Sequence, residues 1–367
     1  MNPSISKVYE ENGVYQITVS GVNVSFANAI RRIILSEIPI VVINTETHEG
    51  NQCNIMVNTT RLHNEILKQR LSSIPICITE LDLLPGKYVL EVDVTNETDN
   101  MMFVTTDHFR IKNKANGNYL TKDETLRIFP SNPKTNSFID FARLRPKISD
   151  GIPGEQLKLI ADFSISNAKV NSMYNVVSKC AYGNTPDIVA IEEGWTIQEK
   201  RFLAEGATED ELKFNKRNYM LLDAQRFFVK DSFDFVIQSI GIYDNLELFK
   251  MACSILQNKN VDMIQALESD TILILTSETT MDYCYDVTLE NEDYTIGKVL
   301  EYIIYEKFYV KDRTLSFCGF KKFHPHNKDS TIRLAFAQNT DRNMVRQLLK
   351  IACTDAQDLF KRIFKML

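Results

Sequence analysis

Apolar residues recur at helical spacing between Val24 and Pro39. The apolar positions are Phe26, Ala29, Ile30, Ile33 and Ile34. Steps of three and four residues place these side chains on one face of a helix. Ser25 suits the N-cap position and Pro39 cannot continue a helix, so the start and the end are both signalled. The pattern predicts a short amphipathic helix whose apolar face packs against another element.

A similar strand-to-helix pattern recurs near the other end of the chain. Ser25 to Ile30 aligns with Thr295 to Leu300, and strand-like runs precede both, at Val14 to Ser20 and at Tyr283 to Glu290. The cap residue, the small residue two positions later and the apolar phase coincide. The alternative is a chance similarity at low identity. A true repeat predicts two related halves that pack about a pseudo-two-fold axis, as in a dimer fused into one polypeptide.

The stretch between these patterns, from about residue 77 to residue 220, has a different character. Strand-like alternation occurs at Tyr88 to Val94, Met102 to Thr106 and Leu157 to Ile165. Turn signals separate the runs, at Asn116-Gly117 and at Asp150-Gly151. These features predict a strand-rich domain inserted between two pieces of the first half.

The remaining pattern completes both halves. The other predicted strands are Ile40 to Asn44, Cys53 to Val57, Asp231 to Ser239, Thr271 to Thr276, Thr314 to Phe320 and Ser330 to Ala337. The other predicted helices are residues 61–74, Asn245 to Gln257, Thr295 to Val310 and Asp341 to the C-terminus. In the last helix, apolar residues from Val345 to Leu367 step by three and four, which predicts a seam for another helix. The fold class is therefore α+β.

Composition and charge narrow the class of protein. The chain has 367 residues, of which 44% are hydrophobic and 25% charged, as in ordinary globular proteins. No apolar run of about 18 residues and no signal-peptide pattern occurs, so we expect an intracellular protein without a membrane span. A net charge of −6 does not favour a phosphate backbone as a direct partner.

The cysteine, histidine and acidic residues do not form a recognisable metal-binding or catalytic motif. The seven cysteines are scattered without a C-x-x-C pair, which argues against a disulfide framework and a cysteine-rich zinc site. His324 and His326 can bind a metal or form a strand-connecting turn, and the missing neighbouring ligands favour the turn. Asp107 and His108 lack a marked nucleophile beside them, and Cys318 lies in an apolar run that favours a core position. This absence favours a scaffold over an enzyme.

Two segments resemble a known family. Residues 27–43 (ANAIRRIILSEIPIVVI) and residues 58–76 (NTTRLHNEILKQRLSSIPI) resemble the larger alpha-like subunit of multisubunit DNA-dependent RNA polymerases. The family's motif residues fall on Asn28, Arg31, Arg32, Glu37, Pro39, Glu65, Arg70, Ile74 and Pro75. The inserted strand-rich stretch is similar to the family's second domain, including Ala168 and Lys169.

The second half resembles the family's smaller alpha-like subunit. The matching motif is Glu292-Asp293-Tyr294-Thr295-Ile296-Gly297-Lys298, and residues 320–325 resemble its histidine-proline turn. Tyr294 and Lys298 depart from the family's histidine and asparagine. Two subunits that are usually separate are thus expected in one chain, an arrangement similar to that of several large DNA viruses.

The resemblance implies an organisation and a function. It implies a larger alpha-like dimerisation domain at residues 1–76 and 221–262, an inserted domain at 77–220 and a smaller alpha-like domain at 263–367. The halves would form an intramolecular pseudo-dimer that needs no homo-oligomer. The chain would be a non-catalytic assembly platform of a DNA-directed RNA polymerase, with the largest, second-largest and small subunits as partners and with DNA contacted only through the complex. A free-standing protein-binding adaptor is the alternative.

The resemblance also implies site residues and a location. The expected subunit-interface residues are Asn28, Arg31, Arg32, Glu65, Arg70, Thr295, Gly297, His324 and Pro325. Some relatives bind zinc or an iron-sulfur cluster in the inserted domain, but only Cys77 and Cys180 lie in or near it here, so neither a metal nor a cofactor is expected. The expected location is intracellular: virion and host cytoplasm if the chain is viral, nucleus if it is cellular.

Overall fold

A computed structural model describes residues 1–149, 151–277 and 281–367 of the chain. The α-helices are α1 (Val24–Ser36), α2 (Asn64–Ser72), α3 (Lys122–Ile128), α4 (Ile188–Ala204), α5 (Glu209–Leu221), α6 (Asn245–Glu268), α7 (Tyr294–Ile304) and α8 (Arg342–Met366). A π-helix (Tyr305–Lys311) continues α7. Asp150, the first residue of the predicted Asp-Gly turn, lies outside the described residues.

The strands follow the same chain order. They are β1 (Ser4–Glu11), β2 (Val14–Ser20), β3 (Ile40–Val42), β4 (Cys53–Asn58), β5 (Tyr88–Thr95), β6 (Met102–Thr105), β7 (Arg110–Asn113), β8 (Asp140–Leu144), β9 (Gln156–Asp162), β10 (Ser164–Ser166), β11 (Val177–Pro186), β12 (Phe228–Ser239), β13 (Ile274–Thr276), β14 (Cys284–Leu289), β15 (Leu315–Lys321) and β16 (Ser330–Phe336). The α+β fold class is confirmed.

The chain divides into two compact units. The first, which we call the paired unit, contains residues 1–34, 179–238 and 245–367. The second, the inserted unit, contains residues 35–178 and 239–244.

The paired unit contains the same arrangement of elements twice. The first half consists of β1, β2, α1, β11, β12 and α6, and the second half of β13, β14, α7, β15, β16 and α8. Their sheets have the orders β1-β2-β12-β11 and β13-β14-β16-β15, so each central pair and each edge strand has its counterpart. The repeat inferred from α1 and α7 therefore extends over six elements in each half.

Two insertions distinguish the first half from the second. The inserted unit lies in the chain between α1 and β11, and the α4–α5 hairpin lies between β11 and β12. In the second half, a short turn at residues 322–329 joins β15 to β16.

The N-cap of α1 differs from the prediction. The side chain of Asn23, and not that of Ser25, accepts the hydrogen bond from the first turn of the helix.

Helices of both halves form the core of the paired unit. The predicted seam of α8 is buried at Val345, Leu348, Ala352, Ala356, Leu359 and Ile363. Leu367, its last predicted member, follows the end of α8 and is half-buried. Phe26 of α1 packs against Phe360 of α8 with ring centroids 5.3 Å apart. Ion pairs join the end of α6 to the start of α8, between Glu268 and Lys350 and between Asp270 and Arg346. Burial of these large apolar side chains stabilises the pairing by about 1.5–3 kcal/mol each.

The inserted unit has its own sheets and core. Its sheet has the order β4-β9-β5-β7, and β6 pairs with β8 and β3 with β10. Leu67 and Leu71 of α2 are buried in its apolar core together with Phe109 and Phe141.

The bounds of the units differ from the predicted inserted domain at both ends. Residues 35–76 belong to the inserted unit because β4 pairs with β9. Residues 179–220 belong to the paired unit because β11 is an edge strand of the first-half sheet and carries the α4–α5 hairpin.

Candidate functional site

The N-termini of α1 and α7 are built alike. At α1, the Oδ1 atom of Asn23 accepts a hydrogen bond of 2.9 Å from the Ser25 N–H. At α7, the Oδ1 atom of Asp293 accepts one of 2.8 Å from the Thr295 N–H and a second of 2.6 Å from the Thr295 hydroxyl. Such side chains satisfy amides that a first helical turn leaves unpaired.

Arg32 of α1 reaches the N-terminus of α7. Its Nη2 lies 2.6 Å from Oδ2 of Asp293, and its Nε donates to the Thr295 hydroxyl at 2.9 Å. Burial opposes ionisation of Asp293, but the hydrogen bonds from Thr295 and the charge of Arg32 outweigh it and lower the pKa of the carboxyl. The guanidinium therefore joins the two halves through an ionised carboxylate. We call these three residues the clasp.

A second cation of the first half meets the same motif. Lys259 of α6 lies 2.7 Å from Oε1 of Glu292, and both side chains are largely shielded, with 17% and 16% of their surface exposed. Both acidic residues of the Glu292-Asp293 motif thus pair with cations from the first half. Sequence reasoning did not identify these partners, because they lie far away along the chain.

Arg31 makes a local contact. Its Nε and Nη2 both donate to Oδ1 of Asn28, at 3.1 and 2.9 Å, one turn earlier on the same helix. Its Nη1 meets no hydrogen-bond acceptor among the described residues. Of the adjacent arginines, Arg32 acts within the chain and Arg31 retains a donor for another group.

Gly297 allows β15 to pack closely on α7. A Cβ at this position would lie 2.0 Å from Cε2 of Phe320. The Phe320 N–H donates to Glu301 of α7 at 3.0 Å, which holds the ring over the glycine. A side chain at residue 297 would therefore displace the aromatic ring.

A groove of about 530 Å³ opens beside the N-terminus of α1. It is lined by Asn23 and Ser25 from the first half and by Tyr302 and Tyr305 from the second. Tyr302 is the counterpart of Arg32 when the two halves are aligned. The two halves therefore meet through an ion pair at one helix N-terminus and beside an open groove at the other.

The structure places the other predicted site residues elsewhere. Glu65 is exposed in the first turn of α2, in the inserted unit. Arg70 of the same helix donates to the carbonyls of Phe141 and Asp140, at 2.8 and 2.7 Å, and so fixes α2 to β8. Its observed contacts are structural.

His324 and Pro325 lie at the exposed turn between β15 and β16. The Nδ1 atom of His324 accepts a hydrogen bond of 3.1 Å from the His326 N–H, so the pair forms the strand-connecting turn. Within residues 1–149, 151–277 and 281–367, no group of three or more His, Cys, Asp or Glu side chains is arranged to hold a metal ion.

The candidates for catalysis have structural contacts. Lys122 lies 2.5 Å from the carboxylate of Asp107, and His108 accepts a hydrogen bond from the Thr105 N–H at 3.2 Å. Burial raises the pKa of the Cys318 thiol to about 12, so it is not an activated nucleophile. In the described part of the chain, no helix has the length and apolar character needed to span a bilayer.

Comparisons with known proteins match the first half of the paired unit and the inserted unit. Residues 16–260 match the RNA polymerase Rpb3/Rpb11 dimerisation domain. Over 97 residues the chain is 35% identical to DNA-directed RNA polymerase subunit Rpo3 of Pyrobaculum arsenaticum, which covers 26% of this chain and 34% of the relative. Over 194 residues it is 26% identical to the Rpo3 subunit of Methanosphaera stadtmanae, which covers 51% of this chain and 63% of that protein.

The aligned stretches thus span less than two thirds of either relative. The family match is broader, since it covers more than half of the chain and includes β2, α1, β11, β12 and most of α6. The chain therefore belongs to the family of the RNA polymerase Rpb3/Rpb11 dimerisation domain.

Proposed function

We propose that this chain is an assembly subunit of a DNA-directed RNA polymerase in which a larger and a smaller alpha-like subunit are fused. Its paired unit would serve as the platform on which the largest and second-largest subunits dock. The observation that carries the proposal is the repeat of six elements with one strand order in a single compact unit. The family match supports the first half and the inserted unit, and the topology extends the assignment to the second half.

The fusion has a physical advantage for assembly. Five residues separate Glu268 at the end of α6 from Ile274 at the start of β13. A tether this short gives the two halves an effective concentration on the order of millimolar. Pairing of the halves would therefore precede docking of the large subunits and would not depend on a second chain.

The proposed role assigns no reaction to this chain. RNA synthesis would belong to the large subunits, and DNA would be contacted through the complex. Small polymerase subunits are further proposed partners. We place the protein inside the cell, and in the virion and host cytoplasm if the fusion is viral.

Arg31 is the best candidate for a docking contact among the predicted interface residues. Its free Nη1 donor can bind a carbonyl or a carboxylate of a partner, whereas Arg32 is engaged in the clasp. Arg31→Ala should preserve the thermal unfolding midpoint but reduce co-purification of a large subunit. Arg201→Ala is the matched control, since Arg201 is 70% exposed and pairs only with Glu205 of its own helix region.

A tagged chain purified from its source tests the function. Stoichiometric recovery with two large catalytic subunits, identified by mass spectrometry, is the expected result. Recovery of the chain with other proteins and without either large subunit would support the alternative, a protein-binding adaptor outside any polymerase.

A further inference from the structure

The turn between β15 and β16, together with Lys321 at the end of β15, concentrates positive charge. The sequence from residue 321 to residue 328 is KKFHPHNK, with three lysines, two histidines and no carboxylate, and Asp329 follows as the last residue of the turn. All of these residues except Lys322 are exposed, and the Phe323 side chain is 63% exposed. Most of this aromatic side chain is therefore open to solvent at the end of the hairpin.

The lysines of this turn differ from others in the same half. Lys298, Lys307 and Lys350 each contact a carboxylate, of Glu301, Asp355 and Glu268. By contrast, Lys321, Lys322 and Lys328 form no ion pair with any residue that the structure describes.

The neighbouring carboxylate, Asp329, forms no ion pair with these lysines among the described residues. Asp329 accepts a hydrogen bond of 3.1 Å from the Asn291 N–H, which directs one of its oxygens toward the main chain. The Lys321 ammonium lies 4.5 Å from the centre of the Phe323 ring, so positive charge and an apolar face are presented together.

We propose that this turn docks into an acidic protein surface that also offers an apolar pocket for Phe323. The lysines would pair with carboxylates at the rim, and the phenylalanine would be the buried anchor at the centre. The inference rests on the proposed function in one respect: the acidic surface would belong to another subunit of the polymerase. It adds the chemistry of the contact and the residues Lys321, Lys322, Phe323 and Lys328.

An acidic protein surface fits the turn better than a nucleic acid does. A nucleic-acid strand needs a track of cations and several stacking rings, whereas this turn is a short hairpin end with one exposed phenylalanine and two histidines whose rings contact each other. Nearby cations outside the tip are neutralised, since Lys298 pairs with Glu301 and Arg333 with Asp286.

Fluorescence anisotropy of the purified full chain tests the proposal with two labelled probes. One is a glutamate-rich peptide that contains a single tryptophan, and the other is a single-stranded oligothymidine of similar charge. We expect the chain to bind the peptide more tightly than the oligothymidine and to release it as salt is raised. Lys321→Glu combined with Lys322→Glu and Lys328→Glu should weaken peptide binding about tenfold or more, and Phe323→Ser should weaken it at high salt as well.

The matched control reverses three cations on α4 and α5, by Lys200→Glu combined with Lys213→Glu and Arg217→Glu. Equal peptide binding by the turn variant and this control would overturn the proposal, as would tighter binding of the oligothymidine or no binding of the peptide by the unmodified chain. Thermal unfolding of each variant verifies the fold. Because the probes contain no polymerase subunit, this result is independent of the co-purification that tests the proposed function.

Discussion

The two helix N-termini at the seam of the paired unit have the same caps but different neighbours. At α7, the clasp closes the contact, because Arg32 binds Asp293 and Thr295. At α1, the counterpart caps are Asn23 and Ser25, and the counterpart of Arg32 is Tyr302, which lines a groove of about 530 Å³. The backbone repeat is therefore retained where the side chains have diverged.

The difference shows what a covalent pair can do that a symmetric dimer cannot. In a dimer of identical chains, each interface contact occurs twice. In this single chain each interface contact occurs once. An ion pair can therefore stabilise the seam at the N-terminus of α7, while the N-terminus of α1 has different side chains beside it. The following variants test how far the two ends depend on each other.

Gly297→Val should cause the largest loss of stability among these variants, because it disrupts the packing of β15 on α7 next to the clasp. The new side chain would overlap the Phe320 ring, and we expect a loss of about 3 kcal/mol in the free energy of unfolding. Gly183→Val is the control, since a Cβ at Gly183 meets no atom within 4 Å. Urea unfolding measures both. Equal stability of the two variants would contradict the close packing of β15 on α7.

Arg32→Ala should open the clasped end. The pair is partly exposed, with 32% and 26% of the two side chains accessible, so we expect a loss of about 1–2 kcal/mol rather than that of a fully buried pair. Asp293→Asn and the double variant complete a cycle that isolates the coupling between the two residues. Additive effects would mean that the ion pair does not hold the halves together. Arg201→Ala should change the free energy of unfolding by less than about 0.5 kcal/mol.

Lowering the pH should remove the stability that the clasp contributes through the Asp293 carboxylate. The folded-state pKa of Asp293 lies below its ordinary value of 3.8, so its stabilising contribution is complete above about pH 5 and is lost as the pH falls through the lowered pKa. Asp293→Asn removes this contribution. The stability difference between the unmodified chain and Asp293→Asn should therefore shrink between about pH 5 and pH 2, as followed by urea unfolding. A constant difference over this range would show that ionisation of Asp293 is not involved.

Asn260→Leu should change stability in the opposite direction. The buried face of α8 is wholly apolar, but that of α6 includes Asn260, which is fully buried and whose Oδ1 has no hydrogen-bond partner in the described chain. Only its Nδ2 is paired, with the Leu256 carbonyl at 2.7 Å. A leucine should raise the free energy of unfolding by up to about 1 kcal/mol. A decrease would show that the amide stabilises the seam, and Asn258→Leu, at an exposed position of α6, is the control.

Local apolar periodicity predicted the helices that form the seam, because burial of one face imposes that periodicity on the sequence. The seam of α8 and the correspondence of α1 with α7 are both of this kind. By contrast, β1 was not predicted, since this edge strand exposes most of its side chains and lacks the alternation of a half-buried strand.

The clasp could not be predicted, for a different reason. The partners of Glu292 and Asp293 are fixed by tertiary packing, and an isolated lysine or arginine in a sequence does not identify its carboxylate. The motif resemblance pointed to α1 and α7 and named Arg32 and Thr295 as expected subunit-interface residues. It could not show that these two residues bind each other, nor that Arg70 holds α2 on β8.

Zero-length carbodiimide cross-linking of the isolated chain, read by mass spectrometry, tests most directly whether the two halves are paired. The account predicts intramolecular links of Lys259 to Glu292 and of Lys350 to Glu268, while the Lys307–Asp355 link within the second half serves as the positive control. A mixture of isotopically light and heavy chains distinguishes links within one chain from links between chains. Recovery of the control link without either link between the halves, or of those links only between chains, would contradict the pairing.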